Sequence, residues 1–306
     1  MSDLIQTHLH LGAHKTATTH LQKLMHANRA ALVEAGVRYY GPEFLRRPRR
    51  SIGTSFGINP DAVHRNGRSP LEQLDFLAKG DRLVVLSDEN FAGPLHDGAG
   101  NVMVPLYEGA AARVAALAAA LAPNPLHLFL AIRQPTTFLT SAYSQSLFGG
   151  VAIGAGGFRD LNPPDRLDWA DLVARLAAVP GLAGLTVWRY EDYRAGLPSI
   201  LEALLGPAAA VLPAPAAQPA NQGLSVRAQK AVMEWAVHGV EGPLAQRARR
   251  RFPVTEDNPA FDLFEADGHE AAARAYADQV DRIRALPGVR LLEPATEDTA
   301  MAARQA

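Results

Sequence analysis

The sequence predicts an α/β protein: a three-layer sandwich with a central parallel sheet covered by helices on both faces. Three observations predict it. Short apolar runs that read as buried strands recur along the chain, and segments with helical spacing separate them. The 306 residues, 48% hydrophobic and 20% charged, are enough to bury a large core. Sheets of this kind bind ligands at the carboxyl ends of their strands, so residues just after each apolar run carry the functional interest.

The elements follow in order. Leu4 to Leu11 alternates loosely and is apolar enough for a buried strand. Leu21, Leu24, Met25, Ala31 and Leu32 keep helical spacing until Gly36, and Asn28 is the one polar interruption of that face. Ser69-Pro70-Leu71-Glu72 offers an N-cap, a first-turn proline and a capping-box glutamate, so a helix runs from there toward Gly80. Arg82 to Leu86 is the next strand, Ala110 to Leu121 an alanine-rich helix, and His127 to Ile132 a strand. A helix starts near Pro135, another spans Leu167 to Ala178, and Leu185 to Tyr190 is again a strand. Leu224 to Val237 and Glu270 to Ala285 read as helices. Three stretches read as loops: Arg46 to Arg68, Gly149 to Gly157 with its five glycines, and Gly206 to Ala220, rich in alanine and proline. Residues 1–295 are read as a single domain, with 206–220 a linker to a helical C-terminal part and 296–306 a disordered tail. No internal repeat is present.

Composition excludes several classes. A formal net charge of −1 argues against a general binder of nucleic acid or membrane surface, so any anion site must be local. The absence of cysteine removes disulfides, thiolate nucleophiles and zinc-thiolate sites, in keeping with a reducing compartment. No run approaches the ~18 apolar residues of a membrane span, and the N-terminus lacks the pattern of a secretory signal. The expected location is the cytoplasm, without membrane insertion.

Residues 10–20, HLGAHKTATTH, join the first strand to the first helix. A glycine-led turn there, beginning at Gly12, aims several backbone N–H groups at one spot, and the helix N-terminus adds partial positive charge. Lys15 supplies a full charge, and Thr16, Thr18 and Thr19 supply hydroxyls. The spot wants an anion. The stretch is not a Walker A loop, because His14 stands where G-K-[ST] needs its glycine, which disfavours an ATPase or GTPase.

KTATT, residues 15–19, resembles the 5′-phosphosulfate loop of the sulfotransferases. AIRQPTTFLTSAYSQ, residues 131–145, resembles that family's 3′-phosphate segment, with Arg133 at a strand end, Pro135 after it and Ser141 eight residues on. VWRYEDY, residues 187–193, resembles its late strand, and GLPSILEALLG resembles the helix that follows. The resemblance covers about residues 4–206 and implies a P-loop-like sulfotransferase fold. It further implies transfer of a sulfuryl group from 3′-phosphoadenosine 5′-phosphosulfate to a hydroxyl or amine, without a metal. The acceptor stays open among carbohydrate, lipid headgroup, small phenol and peptide tyrosine.

By family position, Lys15 stabilises the leaving oxygen. The N–H groups of Thr16, Ala17, Thr18 and Thr19 hold the 5′-phosphate with the hydroxyls of Thr18 and Thr19. Arg133 and Ser141 hold the 3′-phosphate, His20 lies against the adenine and Tyr190 touches its edge. The family's general base is a histidine or glutamate at a strand end after the first helix. Here VVLSDENF offers Glu89 first and Asp88 second, on the expectation that a closed pocket raises the carboxylate pKa. The plainer reading is that Ser87 or Asp88 caps a short helix.

Two departures bear on this. Ala17 stands where the family commonly has glycine, which is harmless only at negative φ. The family's C-terminal R-K-G segment is absent, leaving Arg227, Arg247, Arg249, Arg250 and Arg251 as candidates for a third 3′-phosphate contact or a solvated face. RRPRR, residues 46–50, is read either as a solvated basic loop or as an anion clamp, and the 149–157 glycines as a lid. Two other function classes compete. His8 and His10 project to one face of a strand and are similar to the metal-binding HxH of amidohydrolase barrels, although no later strand end carries a histidine. A nucleotide-binding protein without transfer activity is the other.

Overall fold

The computed structural model describes residues 4–58, 67–213 and 223–294. Six strands form one sheet: β1 (Gln6–Gly12), β2 (Val37–Tyr40), β3 (Leu83–Ser87), β4 (Leu126–Ile132), β5 (Leu182–Arg189) and β6 (Val289–Leu292). Their order is β2-β3-β1-β4-β5-β6, and every pairing is parallel. Among the described residues no helix is long and apolar enough to cross a membrane.

Alternation along the strands feeds two cores. Leu9, Leu11, Leu128, Leu130 and Ile132 pack on one face with Leu117, Phe138 and Leu172 from the helices Ala110–Leu121, Pro135–Phe148 and Trp169–Ala177. Phe129, Ala131 and Trp188 pack on the other with Leu21, Met25, Ile200 and Leu204 from the helices Thr18–Ala27 and Tyr193–Leu205. Helices on both faces of a parallel sheet make the three layers. The C-terminal third joins the first of these cores through Leu224, Ala228, Val232, Ala248, Val280 and Ile283, and β6 pairs with β5. Residues 214–220 of the expected linker and the tail from Thr296 lie outside the described residues.

Local chemistry explains the boundaries. The helix Pro70–Ala78 opens on a capping box: Glu72 N donates to Ser69 Oγ at 3.3 Å and Ser69 N to Glu72 Oε2 at 2.7 Å. Asn28 divides the first helical stretch into Thr18–Ala27 and Arg29–Glu34. All three expected loops are corrected in part: a short helix, Ile52–Ser55, lies within Arg46–Arg68 and buries Ile52, and a 3₁₀ helix, Gly206–Val211, lies within Gly206–Ala220. Within Gly149–Gly157 a helix, Ala155–Leu161, begins after Gly154. Each helical glycine costs roughly 0.5–1 kcal/mol, but the turn buries Phe158 completely, and a buried phenylalanine outweighs that cost. Tyr143 OH also donates to Ile153 O at 3.1 Å, which ties the segment to the helix before it.

The strand order places the site. From β1 the chain moves outward to β2 and back to β3, whereas from β4 it moves the other way to β5. β1 and β4 are neighbours whose connections diverge, and such a switch opens a crevice at their carboxyl ends. The turn after Gly12 and the residue after Ile132, Arg133, follow those carboxyl ends directly.

Candidate functional site

Gly12 ends β1 at φ +76°, where a side chain is strained, and a Cβ there would collide with Thr18 Cγ2 and stand 3.1 Å from Glu89 Cβ. Thr16 closes the turn: its Oγ1 donates to Ala13 O at 2.7 Å and accepts from Ala13 N at 3.3 Å. That hydroxyl is spent inside the loop, not offered to a ligand. His14 N donates to Tyr107 OH at 3.0 Å, and the tyrosine hydroxyl donates back to His14 Nδ1, also at 3.0 Å. Nε2 of His14 then carries the proton given to Asn90 Oδ1 at 3.2 Å. Lys15 and Ala17 both adopt left-handed backbone, φ +66° and +65°. Ala17 therefore fails the condition for a harmless replacement of glycine, at a cost of roughly 1–2 kcal/mol.

The strained turn has a product. Among the described residues none of the backbone N–H groups from Lys15 to Thr19 has an acceptor, and the last two begin the helix Thr18–Ala27. Successive free N–H groups in alternating right- and left-handed backbone form an anion-binding concavity.

Arg133 reaches this turn from β4. Its Nη1 donates to Lys15 O at 2.7 Å, its Nε to Thr137 Oγ1 at 3.0 Å, and its guanidinium lies 4.2 Å from the centre of the Tyr190 ring. Trp169 Nε1 donates to Arg133 O at 2.7 Å, fixing the backbone behind it. Burial pushes the Lys15 ammonium below its ordinary pKa, and the charges of Arg133 and Arg249 push it further the same way. Burial likewise lowers Arg133. Among the described residues Lys15 Nζ and the Ser141 hydroxyl have no hydrogen-bonding partner, and none of Lys15, Arg133 and Arg249 has a carboxylate partner. Arg249 stands on the helix Leu244–Arg251 with its guanidinium 5.0 Å from the Phe148 ring centre. Arg247 donates to Glu241 O at 3.2 Å, Arg250 to Gln246 O at 3.4 Å, Arg251 lies over Phe252, and Arg227 is exposed. Of these five arginines only Arg249 bears on Lys15.

His20 hydrogen-bonds Tyr193 OH through Nδ1 at 2.8 Å, their rings edge to face. The tyrosine beside it is thus Tyr193, while Tyr190 belongs to Arg133. Thr18 is buried and Thr19 exposed.

The carboxylates differ from expectation. Arg46 donates twice to Asp88 Oδ1, at 3.1 and 2.9 Å, and pairs with Glu89 Oε1 at 2.7 Å, while Gln22 Nε2 donates to Glu89 Oε2 at 2.9 Å. Burial raises the Glu89 pKa, but the hydrogen bonds from Arg46 and Gln22 outweigh it and hold the group below its ordinary value. Glu89 is a weakened base, contrary to the raised pKa expected from a closed pocket. Asp88 also accepts from Asn90 N at 3.2 Å and caps the short 3₁₀ turn Glu89–Ala92, which is the plainer role foreseen for it. Arg46, from RRPRR, is committed to these acids rather than to an outside anion.

His8 and His10 are both engaged by the fold. His10 Nδ1 meets Ser87 Oγ at 2.8 Å, and burial pushes its pKa down to about 4; His8 Nδ1 bonds Leu204 O at 2.7 Å. Among the described residues no three His, Asp or Glu side chains come together as metal ligands. No protein-family model matches the chain, and no curated protein matches its sequence closely enough to indicate kinship.

Proposed function

We propose that the chain is a sulfotransferase of P-loop-like fold that moves a sulfuryl group from 3′-phosphoadenosine 5′-phosphosulfate to a hydroxyl or amine acceptor. The observation that carries this reading is the row of acceptor-free N–H groups from Lys15 to Thr19, beside three cations, Lys15, Arg133 and Arg249, that lack a carboxylate partner. Such a site demands an anion with more than one charged group. The N–H row takes the 5′-phosphate. Arg133, already held on two sides, keeps its remaining edge for the 3′-phosphate, while Ser141 stands in the helix that follows it and Arg249 acts on Lys15. Lys15, lacking a competing partner, meets charge developing on the bridging oxygen, where positioning and charge stabilisation supply most of the catalysis. None of these residues calls for a metal.

Titration with adenosine 3′,5′-bisphosphate, with AMP and ADP as controls, tests the reading. Charge-assisted hydrogen bonds worth about 1.5–3 kcal/mol make the bisphosphate roughly 10- to 150-fold tighter than AMP, with a correspondingly larger rise in melting temperature. Equal binding of AMP and bisphosphate would remove the basis for the donor assignment.

A further inference from the structure

We propose that His96 is the general base of the transfer reaction, accepting the acceptor's proton at Nδ1. The inference rests on the sulfuryl-transfer reading and goes beyond it by moving the base away from Glu89. His96 follows the 3₁₀ turn after β3, in a segment fixed by its antiparallel bridge to Val102 and by Met103 N donating to Leu95 O at 2.9 Å. Its Nε2 lies 3.1 Å from Ala142 O, in the helix that carries Ser141. A carbonyl only accepts, so Nε2 holds the proton and the neutral ring presents a bare lone pair at Nδ1. Among the described residues Nδ1 has no partner, and it is not one of the enclosed unpartnered atoms, so it opens to solvent.

The surroundings favour this base over the others. Burial lowers the pKa of His96, the Ala142 bond and Asp97 raise it, and the neighbouring His14 and the Lys15 ammonium lower it; the balance falls below the ordinary value. His96 is accordingly neutral and able to accept a proton at neutral pH, close enough to Lys15 to feel its charge. His14 has both ring nitrogens occupied, by Tyr107 and Asn90. Glu89 has Arg46 on one oxygen and Gln22 on the other, and Asp88 receives Arg46 and Asn90 N on one oxygen.

The step balances. A lone pair on the acceptor oxygen or nitrogen forms the bond to sulfur as the bond from sulfur to the 5′-phosphate oxygen breaks. That electron pair stays on the phosphate oxygen facing Lys15. The acceptor's proton passes to His96 Nδ1 and then to water, with Asp97 offsetting the imidazolium charge.

Water serves as the acceptor probe: sulfate release from 3′-phosphoadenosine 5′-phosphosulfate is followed across pH 5–9 for the wild type, His96→Gln and Glu89→Gln. Glutamine retains a donor for Ala142 O, and melting temperature with bisphosphate affinity shows that fold and donor site survive. His96→Gln should lose roughly 10²-fold or more in rate together with the acid limb of the pH profile, and Glu89→Gln should lose less. Equal rates for wild type and His96→Gln, including equal absence of turnover, overturn the assignment; so does a larger loss in Glu89→Gln. The ¹⁵N shifts of the His96 ring give a readout independent of turnover, and an Nδ1–H tautomer at neutral pH also overturns it. The two readings fail separately: no bisphosphate binding removes the donor assignment, whereas tight binding with an indifferent His96→Gln removes only the base.

Discussion

Gly12→Ala tests whether the anion turn depends on the close approach at the end of β1. At φ +76° a Cβ costs roughly 1–2 kcal/mol from backbone strain alone. The new methyl also collides with Thr18 Cγ2 and approaches Glu89 Cβ to 3.1 Å, and overpacking of this kind costs a further ~1–3 kcal/mol. The expected loss is therefore about 2–5 kcal/mol, the sum of those two ranges. Thr18→Ser deletes Cγ2 and keeps the hydroxyl, so the double variant should recover the Thr18 part of the collision share and retain the strain share and the approach to Glu89. Denaturant unfolding of wild type, both single variants and the double variant gives the coupling, expected at about 1 kcal/mol or more in favour of the double variant. Bisphosphate affinity should fall in Gly12→Ala and partly return with Thr18→Ser, because the helix start that aims the N–H groups shifts with the collision. A Gly12→Ala protein of wild-type stability, or strictly additive effects, would refute the reasoning.

Two further outcomes follow from the same physics. Ala17→Gly relieves left-handed strain of roughly 1–2 kcal/mol while adding about 0.5–1 kcal/mol of unfolded-chain entropy, so stability should rise by as much as about 1.5 kcal/mol and the melting temperature with it; a lower melting temperature counts against it. His10, held at about 4 against 6.5 for the free side chain, binds its proton more weakly folded than unfolded. Its contribution is complete above pH 6.5 and is lost as pH falls toward 4, by about 3 kcal/mol at full effect. Denaturant midpoints between pH 7.5 and 4 should show this slope, and His10→Gln should flatten it; an unchanged slope would clear His10.

The elements legible in the sequence were those with a local cause. Apolar runs placed β1, β3, β4 and β5, and Ser69 with Glu72 placed a helix start. β2 and β6 were not legible: VRYY and VRLL have four residues each, with arginine second, too short to display a period. Each is a strand because a neighbour pairs with it, at an edge of the sheet. In the site, Gly12, Lys15, Arg133 and Tyr190 stood out because each sits at or just past a strand end. Their partners did not. The Arg133–Lys15 contact spans 118 residues and Arg46–Asp88 spans 42, and no spacing rule reports such pairs. The state of Glu89 was misread for the same reason, since its pKa is decided by Arg46 and Gln22 from other elements. His96 gave no signal at all, because its tautomer is set by a carbonyl 46 residues away.

The strain in the turn has its support in Arg133. A non-glycine residue stays in left-handed backbone only where its surroundings over-determine it. Lys15 is held there by its own carbonyl accepting from Arg133, and by His14, the residue before it, bonded to Tyr107 through both backbone and ring. Arg133 is in turn held by Thr137 and Tyr190. Under the sulfuryl-transfer reading, the group that reads the 3′-phosphate is thus the one that fixes the backbone of the lysine at the leaving oxygen. Under the same reading, a nucleotide lacking the 3′-phosphate leaves the remaining edge of Arg133 without its anion, while Thr137 and Tyr190 still hold the arginine against Lys15. Under that reading, donor recognition and catalysis meet at one hydrogen bond, Arg133 Nη1 to Lys15 O, so a change in how Arg133 is loaded reaches the backbone of the lysine.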